Sequence, residues 1–386
     1  MKIFISTGDV SGDLQGSMLI EGLKRQAVLA GLELEIVALG GEKMAAAGAN
    51  LLANTSAISS IGLVEAIPHI WSTLSIQRRA ITYLKQNPPD LVVLIDYMGP
   101  NVAIGKFLKR NLPDVPVAYY IAPQEWVWSL GSRKTSAIVN FTDKLFAIFP
   151  EEARYYKERG AQVSWVGHPL VDRMQQAPSR ETARADLGIS HDEIAIALLP
   201  ASRRQEIKYL LPVIFEAARE IQAKLPSVRF FIPISLEIYR EAINKAVQEY
   251  GLNATLVSGK SKEVIAASDL AITKSGTVNL ELALLKVPQV VIYKLSPFTE
   301  WIGKLVKFSI PFASPTNLVV MREIVPEFIQ ERATKENLTQ AAMELLLNSQ
   351  RKQQMQADYE EMCHSLGEVG VCDRTAGEIL QMVGSC

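Results

Sequence analysis

The sequence predicts an α/β protein of two doubly wound domains. Three observations carry this. The chain has 386 residues, more than one ordinary hydrophobic core accommodates. Short, continuously apolar runs recur along it, as in parallel strands covered on both faces. Stretches with helical spacing separate these runs, and the alternation stops once near the middle and then restarts.

In the first half, Lys2–Ser6 is a short apolar strand, followed by a glycine-containing loop at 8–16 and a helix at 17–25. Further strands are expected at 34–39, 90–95, 115–121 and 144–149, with helices at 102–110, 132–139 and 151–159. Residues 172–192 hold Pro178 and a cluster of charges, and read as the link. Beyond it, strands at Ile194–Leu199, 229–234, 254–257, 270–273 and Gln289–Tyr293 alternate with helices at 205–224, 237–249, 262–267 and 278–285. The tail from Lys335 reads as helical, broken at Gly367 and Gly370. The expected domains are 1–175 and 176–350, with 351–386 forming helices that pack back on the first domain. No repeat of solenoid period and no low-complexity segment is present.

Composition narrows the function classes. Hydrophobic residues make up 48% and charged residues 21%, a globular balance. Lys+Arg is 40 and Asp+Glu is 41, for a net charge of -1, so there is no electrostatic footprint for nucleic acid. Cys363, Cys372 and Cys386 lack metal-like spacing and read as free thiols of a reducing cytosol. Asp9 and Asp13 interrupt any apolar signal region, and no apolar run is long enough to span a bilayer. The expectation is a cytoplasmic protein, soluble or peripheral on a membrane. His69, His168, His191 and His364 form no HExxH or other metal spacing. Asp-x-Asp, GxxxxGK[ST] and GxSxG are also absent. No metal and no cofactor is expected.

Ligands of open α/β sheets sit outside the carboxyl ends of the strands, so the loops there are where chemistry is sought. In the first loop, Gly8, Ser11, Gly12, Asp13 and Gly16 allow a tight turn and close approach of a substrate. It is not GxGxxG, and the plainer reading is a turn with an aspartate cap. The second loop begins at Asp96, which ends a buried strand before Gly99 and Pro100. A partly desolvated carboxylate there is suited to take a proton from a sugar hydroxyl; the plainer reading is a turn or capping aspartate.

The third loop holds Arg203 and Arg204 at the start of a helix. Cations there oppose the helix dipole, which points to an anionic ligand such as a diphosphate; the plainer reading pairs them with Glu206. In the fourth, Ser275-Gly276-Thr277 opens a helix and suits phosphate. Glu281 lies on the same face as Thr277 and matches the paired hydroxyls of a ribose; the plainer reading is a capped helix with a surface glutamate.

Residues 298–308 form an amphipathic stretch. Phe298, Trp301, Ile302, Leu305 and Phe308 share one helical face, opposite Glu300, Lys304 and Lys307. A second apolar stretch at 61–74 contains Trp71. Either suits a membrane interface or an acyl chain, although such stripes are more often core.

These residues together resemble the lipid-A-disaccharide synthase family across nearly the whole chain. The resemblance runs through Ser11-Gly12-Asp13, Gly40-Gly41-Glu42-Lys43-Met44, Gly62-Leu63-Val64-Glu65 and Ile95-Asp96. It continues through Gln124-Glu125-Trp126-Val127-Trp128, Gly167-His168-Pro169, 199–203, Ser275-Gly276-Thr277 with Glu281, Pro315-Thr316-Asn317-Leu318, Arg322-Glu323 and Leu366-Gly367-Glu368. Their order and spacing together are specific.

The resemblance implies the GT-B arrangement, two Rossmann-like domains facing a cleft. It implies an inverting transfer from UDP-2,3-diacylglucosamine to 2,3-diacylglucosamine 1-phosphate, giving a β-1,6-linked disaccharide and UDP. Asp96 would then be the base. Arg203, Ser275, Gly276, Thr277 and Glu281 would hold UDP, with Asn317 near the nucleotide and the apolar stretches near acyl chains at the inner membrane. The partners would be these two substrates and the membrane surface; nothing in the pattern speaks against a homo-oligomer. The chain departs from the family's usual residues at Asp9, at Ala201 and at Tyr97-Met98-Gly99-Pro100, the last beside the implied base. Two other classes share the fold: a UDP-sugar epimerase, and a non-catalytic nucleotide- or lipid-binding relative.

Overall fold

The computed structural model describes residues 1–55, 70–127, 132–200, 204–294 and 312–384. The chain divides into two compact units, Met1–Asp172 with Leu366–Cys386, and Arg173–Ser365. Each contains one all-parallel sheet. The first is built from β1 (Lys2–Ser6), β2 (Glu35–Gly40), β3 (Asn50–Asn54), β4 (Leu91–Ile95), β5 (Val117–Tyr120), β6 (Lys144–Ala147) and β7 (Val163–Trp165), in the order β3-β2-β1-β4-β5-β6-β7. The second holds β8 (Ile194–Leu199), β9 (Val228–Ile234), β10 (Ala254–Ser258), β11 (Leu270–Lys274), β12 (Gln289–Tyr293) and β13 (Glu327–Ile329), in the order β10-β9-β8-β11-β12-β13. The strand order therefore reverses at β1/β4 in one sheet and at β8/β11 in the other, the positions where open α/β sheets bind ligands.

The central strands follow from their composition. Leu91-Val92-Val93-Leu94-Ile95 of β4 is buried throughout, and β1 pairs with it from Ile3↔Leu91 to Ser6↔Leu94. The short edge strands β3, β7 and β13 are absent from the sequence reading. They are only half-covered, so they lack the continuous apolar run that identifies a doubly buried strand.

The first helix, α1, spans Val10–Ala30 and begins seven residues before the expected position. Asp9 caps it, accepting from Gly12 N at 2.5 Å. The expected 8–16 loop thus shrinks to a turn, and its glycines serve packing. A Cβ on Gly12 would lie 1.8 Å from Thr7 Oγ1, and one on Gly16 would lie 2.7 Å from Met44 Sδ.

The tail divides later than 350. The helix Ser349–Leu366 belongs to the second unit as far as Ser365. There buried Tyr359 donates to Val287 O at 3.2 Å, and Asp358 pairs with Arg322 at 2.9 Å. Only the last helix, Val371–Gly384, lies with the first unit, on α1. Asp172 caps it by accepting from Gly370, Val371 and Cys372 N at 2.6, 3.1 and 2.8 Å. Gly167, at φ +90°, passes close enough to the tail that a Cβ would lie 2.7 Å from Leu366 O. The stretch 172–192, expected as a link, contains the short helices Leu170–Met174 (in part) and Arg180–Asp186.

Candidate active site

In the first unit the site is organised by one buried amide. Asn101 lies in the first turn of the helix that follows β4, fully buried. Its Nδ2 donates to the carbonyls of Ser6 (3.2 Å), Ile95 (3.0 Å) and Asp96 (2.8 Å), and its Oδ1 accepts from Ser6 Oγ at 2.7 Å. The ends of β1 and β4 are thereby pinned together. Tyr119 on β5 donates its hydroxyl to Asp96 O at 2.8 Å, and Asp96 N donates to Ile121 O at 3.0 Å.

Held this way, Asp96 and Tyr97 occupy the left-handed region at φ +45° and +47°. For a residue with a side chain this costs roughly 1–2 kcal/mol, and it persists because the surroundings over-determine it. Burial pushes the Asp96 carboxyl from 3.8 to about 7; the negative charge of Asp9 adds to the rise and the Tyr97 N–H opposes it. Two carboxylates thus meet where the strand order reverses. The Tyr97 ring lies against the turn after β1, where a Cβ on Gly8 would approach it to 2.2 Å. The Tyr97 hydroxyl bonds to Thr73 on the helix Ile70–Gln86.

Two further ionisable side chains are buried in the same unit. Glu152 accepts from Ala122, Ile148 and Phe149 N, and burial pushes its carboxyl up to about 8 against those three bonds. His168 is buried and kept neutral, its pKa lowered by burial to about 3, and its Nδ1 accepts from Leu170 N at 3.1 Å.

The residues expected at the first loop separate in role. Ser11 is half-buried in the opening turn of α1, and Gly12 fills the tight space beside Thr7. Asp13 turns inward. Its carboxylate accepts from Gly41 N (2.7 Å), Lys43 N (3.1 Å) and Met44 N (3.1 Å), capping the helix Glu42–Ala46. The carboxylate thus has a structural task, holding three N–H groups at the start of that helix.

In the second unit, Lys274 ends β11 and pairs with Glu206 at 3.5 Å, tying together the loops after β11 and β8. Arg203 itself lies outside the described residues. The turn after β11 is set by Asn279, which accepts from Gly276 N at 2.8 Å and donates to Lys274 O at 3.1 Å. Ser275 Oγ donates to Ala313 O at 2.7 Å, and Thr277 precedes the helix Val278–Leu284 without a side-chain capping bond.

Glu281 on that helix is nearly buried and is paired with Arg173. Arg173 also lines a pocket of about 460 Å³ at the carboxyl ends of β9 and β10, with Ile234, Ser235, Gly259 and Lys262. Neither Arg173 nor this pocket was expected. Arg173 sits in the charged stretch read as a link, and nothing in its local pattern marks it.

Asn317 uses its whole side chain within the fold. It donates to Val325 O (3.1 Å) and Glu327 Oε2 (2.9 Å), and accepts from Ile324 and Val325 N (2.8 and 3.0 Å). Asn317 thereby anchors its loop, with both amide N–H groups used. Trp301, Ile302, Leu305 and Phe308, and most of 61–74, lie outside the described residues. Trp71 is described and is 76% exposed. Among the described residues no helix is long and apolar enough to cross a membrane.

Comparison with known proteins decides the family. In fold, the chain is similar to a putative UDP-N-acetylglucosamine 2-epimerase from Listeria monocytogenes (TM-score 0.69, 14% identity, covering 100% of this chain and 97% of that one). It is also similar to the S. aureus MnaA–UDP co-structure (TM-score 0.68, 17% identity, covering 100% and 97%). At such identities the likeness speaks for the two-domain GT-B fold alone. Sequence goes further. Lipid-A-disaccharide synthase of Gloeothece citriformis (strain PCC 7424) is 61% identical over 384 residues, 99% of this chain and 100% of that one. The enzyme of Synechocystis sp. (strain ATCC 27184 / PCC 6803 / Kazusa) is 54% identical over 99% and 98%. The family model described as lipid-A-disaccharide synthetase matches residues 3–382. The chain belongs to the lipid-A-disaccharide synthase family of glycosyltransferases.

Proposed function

We propose that the chain joins UDP-2,3-diacylglucosamine to 2,3-diacylglucosamine 1-phosphate, forming the β-1,6-linked disaccharide 1-phosphate and UDP, with Asp96 as the base. The observation that carries this reading is a strand-end carboxyl whose pKa, about 7, suits proton abstraction near neutrality. Asp96 takes the proton of the acceptor's primary hydroxyl as that oxygen attacks the anomeric carbon. The bond from that carbon to the UDP oxygen breaks, and UDP leaves with the electron pair. A single displacement turns the α-linked donor into a β-linked product.

Departing UDP gathers negative charge, and Arg203 with the Ser275, Gly276 and Thr277 turn is suited to balance it. Glu281 offers carboxylate oxygens to two ribose hydroxyls, and the pocket beside Arg173 and Lys262 accommodates the base. Ser11 and Gly12 lie on the acceptor side, while Asp13 and Asn317 hold the neighbouring loops. Trp71, Trp301, Ile302, Leu305 and Phe308 supply apolar contact for acyl chains at a membrane surface, a peripheral association.

Mass spectrometry of products from the two acylated glucosamine substrates tests this. The expected result is one disaccharide 1-phosphate and one UDP per turnover, dependent on both substrates. Conversion of UDP-GlcNAc to an epimer, with no disaccharide, would replace the proposal.

A further inference from the structure

Three consecutive helices of the first unit carry an unusual charge pattern. Ile70–Gln86, Met98–Asn111 and Ser132–Phe141 pack side by side in that order. Together they hold eight Lys and Arg and no Asp or Glu, in a chain whose net charge is -1. Between the second and third lies a groove of about 460 Å³. Lys106, Lys109 and Arg110 line it from the last turns of Met98–Asn111, and Ser136, Asn140 and Phe141 from the facing helix. The two helices meet at Gly105, where a Cβ would lie 2.4 Å from the Phe141 ring, so that buried ring forms the floor.

No carboxylate stands in the wall of the groove. The flanking loops contain Asp114 and Asp143, and neither lines it; Asp143 accepts from Val117 N at 2.8 Å instead. Among the described residues, the Lys106, Lys109 and Arg110 side chains make no hydrogen bond or ion pair, whereas Arg154, Arg180 and Arg322 all meet carboxylates. Lys106 and Arg110 are four apart on one helix, where like charges repel. The helix dipole accounts for cations in the final turn. It does not account for Lys106 a turn earlier, or for the absence of acids from both helices. The groove is also separate from the site around Asp96. Lys106 and Arg110 lie about 12–18 Å past Met98 along the helix axis, at the ordinary rise per residue.

We propose that this groove is a second anion site, which takes a phosphate group remote from Asp96. A phosphate monoester carries about -1.5 to -2 charge near neutrality and three acceptor oxygens. It therefore matches several cations at once, where a single carboxylate would leave most of the wall uncompensated. Arg110 supplies paired donors of the kind that suit phosphate, Lys106 and Lys109 supply point charges, and the Asn140 amide supplies a neutral donor. The phosphate belongs to a dissolved ester or to a lipid headgroup, which present the same oxygens.

The test uses the full chain with saturating UDP, so that any nucleotide site is filled. Binding of inorganic phosphate is followed by phosphorus NMR at low salt, where surface charge is least screened. Wild type is compared with the double variant Lys106→Gln/Arg110→Gln, and with Asn140→Asp, which sets a carboxylate in the groove at constant size. All three positions are exposed, so fold and UDP affinity should match wild type. Loss of two exposed charged contacts should weaken phosphate about tenfold, and Asn140→Asp should act similarly. Co-sedimentation with phosphatidylcholine vesicles, with and without phosphatidic acid, identifies the source. If the phosphate is a headgroup's, both variants lose the added sedimentation that phosphatidic acid gives wild type. If it is a dissolved ester's, the variants sediment as wild type does while their phosphate affinity still falls. Equal phosphate affinity in all three proteins, measurable or not, would overturn the inference.

Discussion

Replacing Asp96 by Asn keeps the size of the side chain and removes its charge. The backbone tolerates the change, since Asn is among the few side-chain-bearing residues at ease in the left-handed region. The bond from Tyr97 N can be kept by the amide oxygen. What changes is basicity. A positioned base contributes about 10²–10⁴-fold, so kcat should fall by that factor while UDP-donor binding stays nearly constant.

Stability should move the other way. The native pKa of about 7 lies above the unfolded value of 3.8, so between these pH values the folded state holds more protons. Stability contributed by Asp96 therefore declines as pH rises from about 4 to about 7, and the full penalty of a desolvated carboxylate applies above that. At about 1.4 kcal/mol per pH unit the rise corresponds to about 4 kcal/mol as an upper bound. Asp96 is only partly buried by surface area, so a gain of about 1–3 kcal/mol for Asp96→Asn at pH 8 is expected, shrinking toward zero near pH 4. Denaturant unfolding at both pH values, with kcat on the same preparations, reads both effects. In wild type, kcat/KM should also lose about tenfold per pH unit below pH 7. Near-normal turnover in Asp96→Asn would remove Asp96 from the mechanism. Parallel loss of stability and activity would show that it only supports the turn.

Asn101→Ala removes four hydrogen bonds from a fully buried side chain. A loss of about 2–4 kcal/mol is expected in chemical denaturation, with kcat reduced more than donor affinity because the Asp96 turn is released. Arg203→Ala should weaken UDP at least about tenfold in calorimetry without changing the melting temperature, since a charge-assisted contact is worth about 1.5–3 kcal/mol. Turnover should be unaffected by EDTA, because the sequence offers no Asp-x-Asp and no histidine cluster; activity abolished by chelation and restored by magnesium would contradict this.

The sequence was most informative where burial is symmetrical. β4 is apolar at every position because both faces are covered, and Asp96 stands out at its end for that reason. Edge strands β3, β7 and β13 left no such signal. The start of α1 differs from the expected one because Gly12 and Gly16 are poor helix formers; they stand in the helix because Thr7 and Met44 occupy the space a side chain would need, and Asp9 caps the turn before them. Asp13 and Asn317 illustrate a different limit. A polar residue in a strand-end loop looks the same in sequence whether it faces a ligand or caps a neighbouring segment. The three N–H groups on Asp13 and the four bonds of Asn317 come from segments distant in sequence or from loop backbone, and leave no local pattern. Arg173 was hidden among ordinary link charges, since its meaning lies in Glu281, 108 residues away.

The central claim is a single displacement assisted by one base, and the anomeric configuration of the product tests it most directly. With α-linked UDP-2,3-diacylglucosamine as donor and 2,3-diacylglucosamine 1-phosphate as acceptor, proton NMR of the purified disaccharide should show a β-1,6 linkage. An α-linked product, or a disaccharide formed at an undiminished rate by Asp96→Asn, would contradict the account.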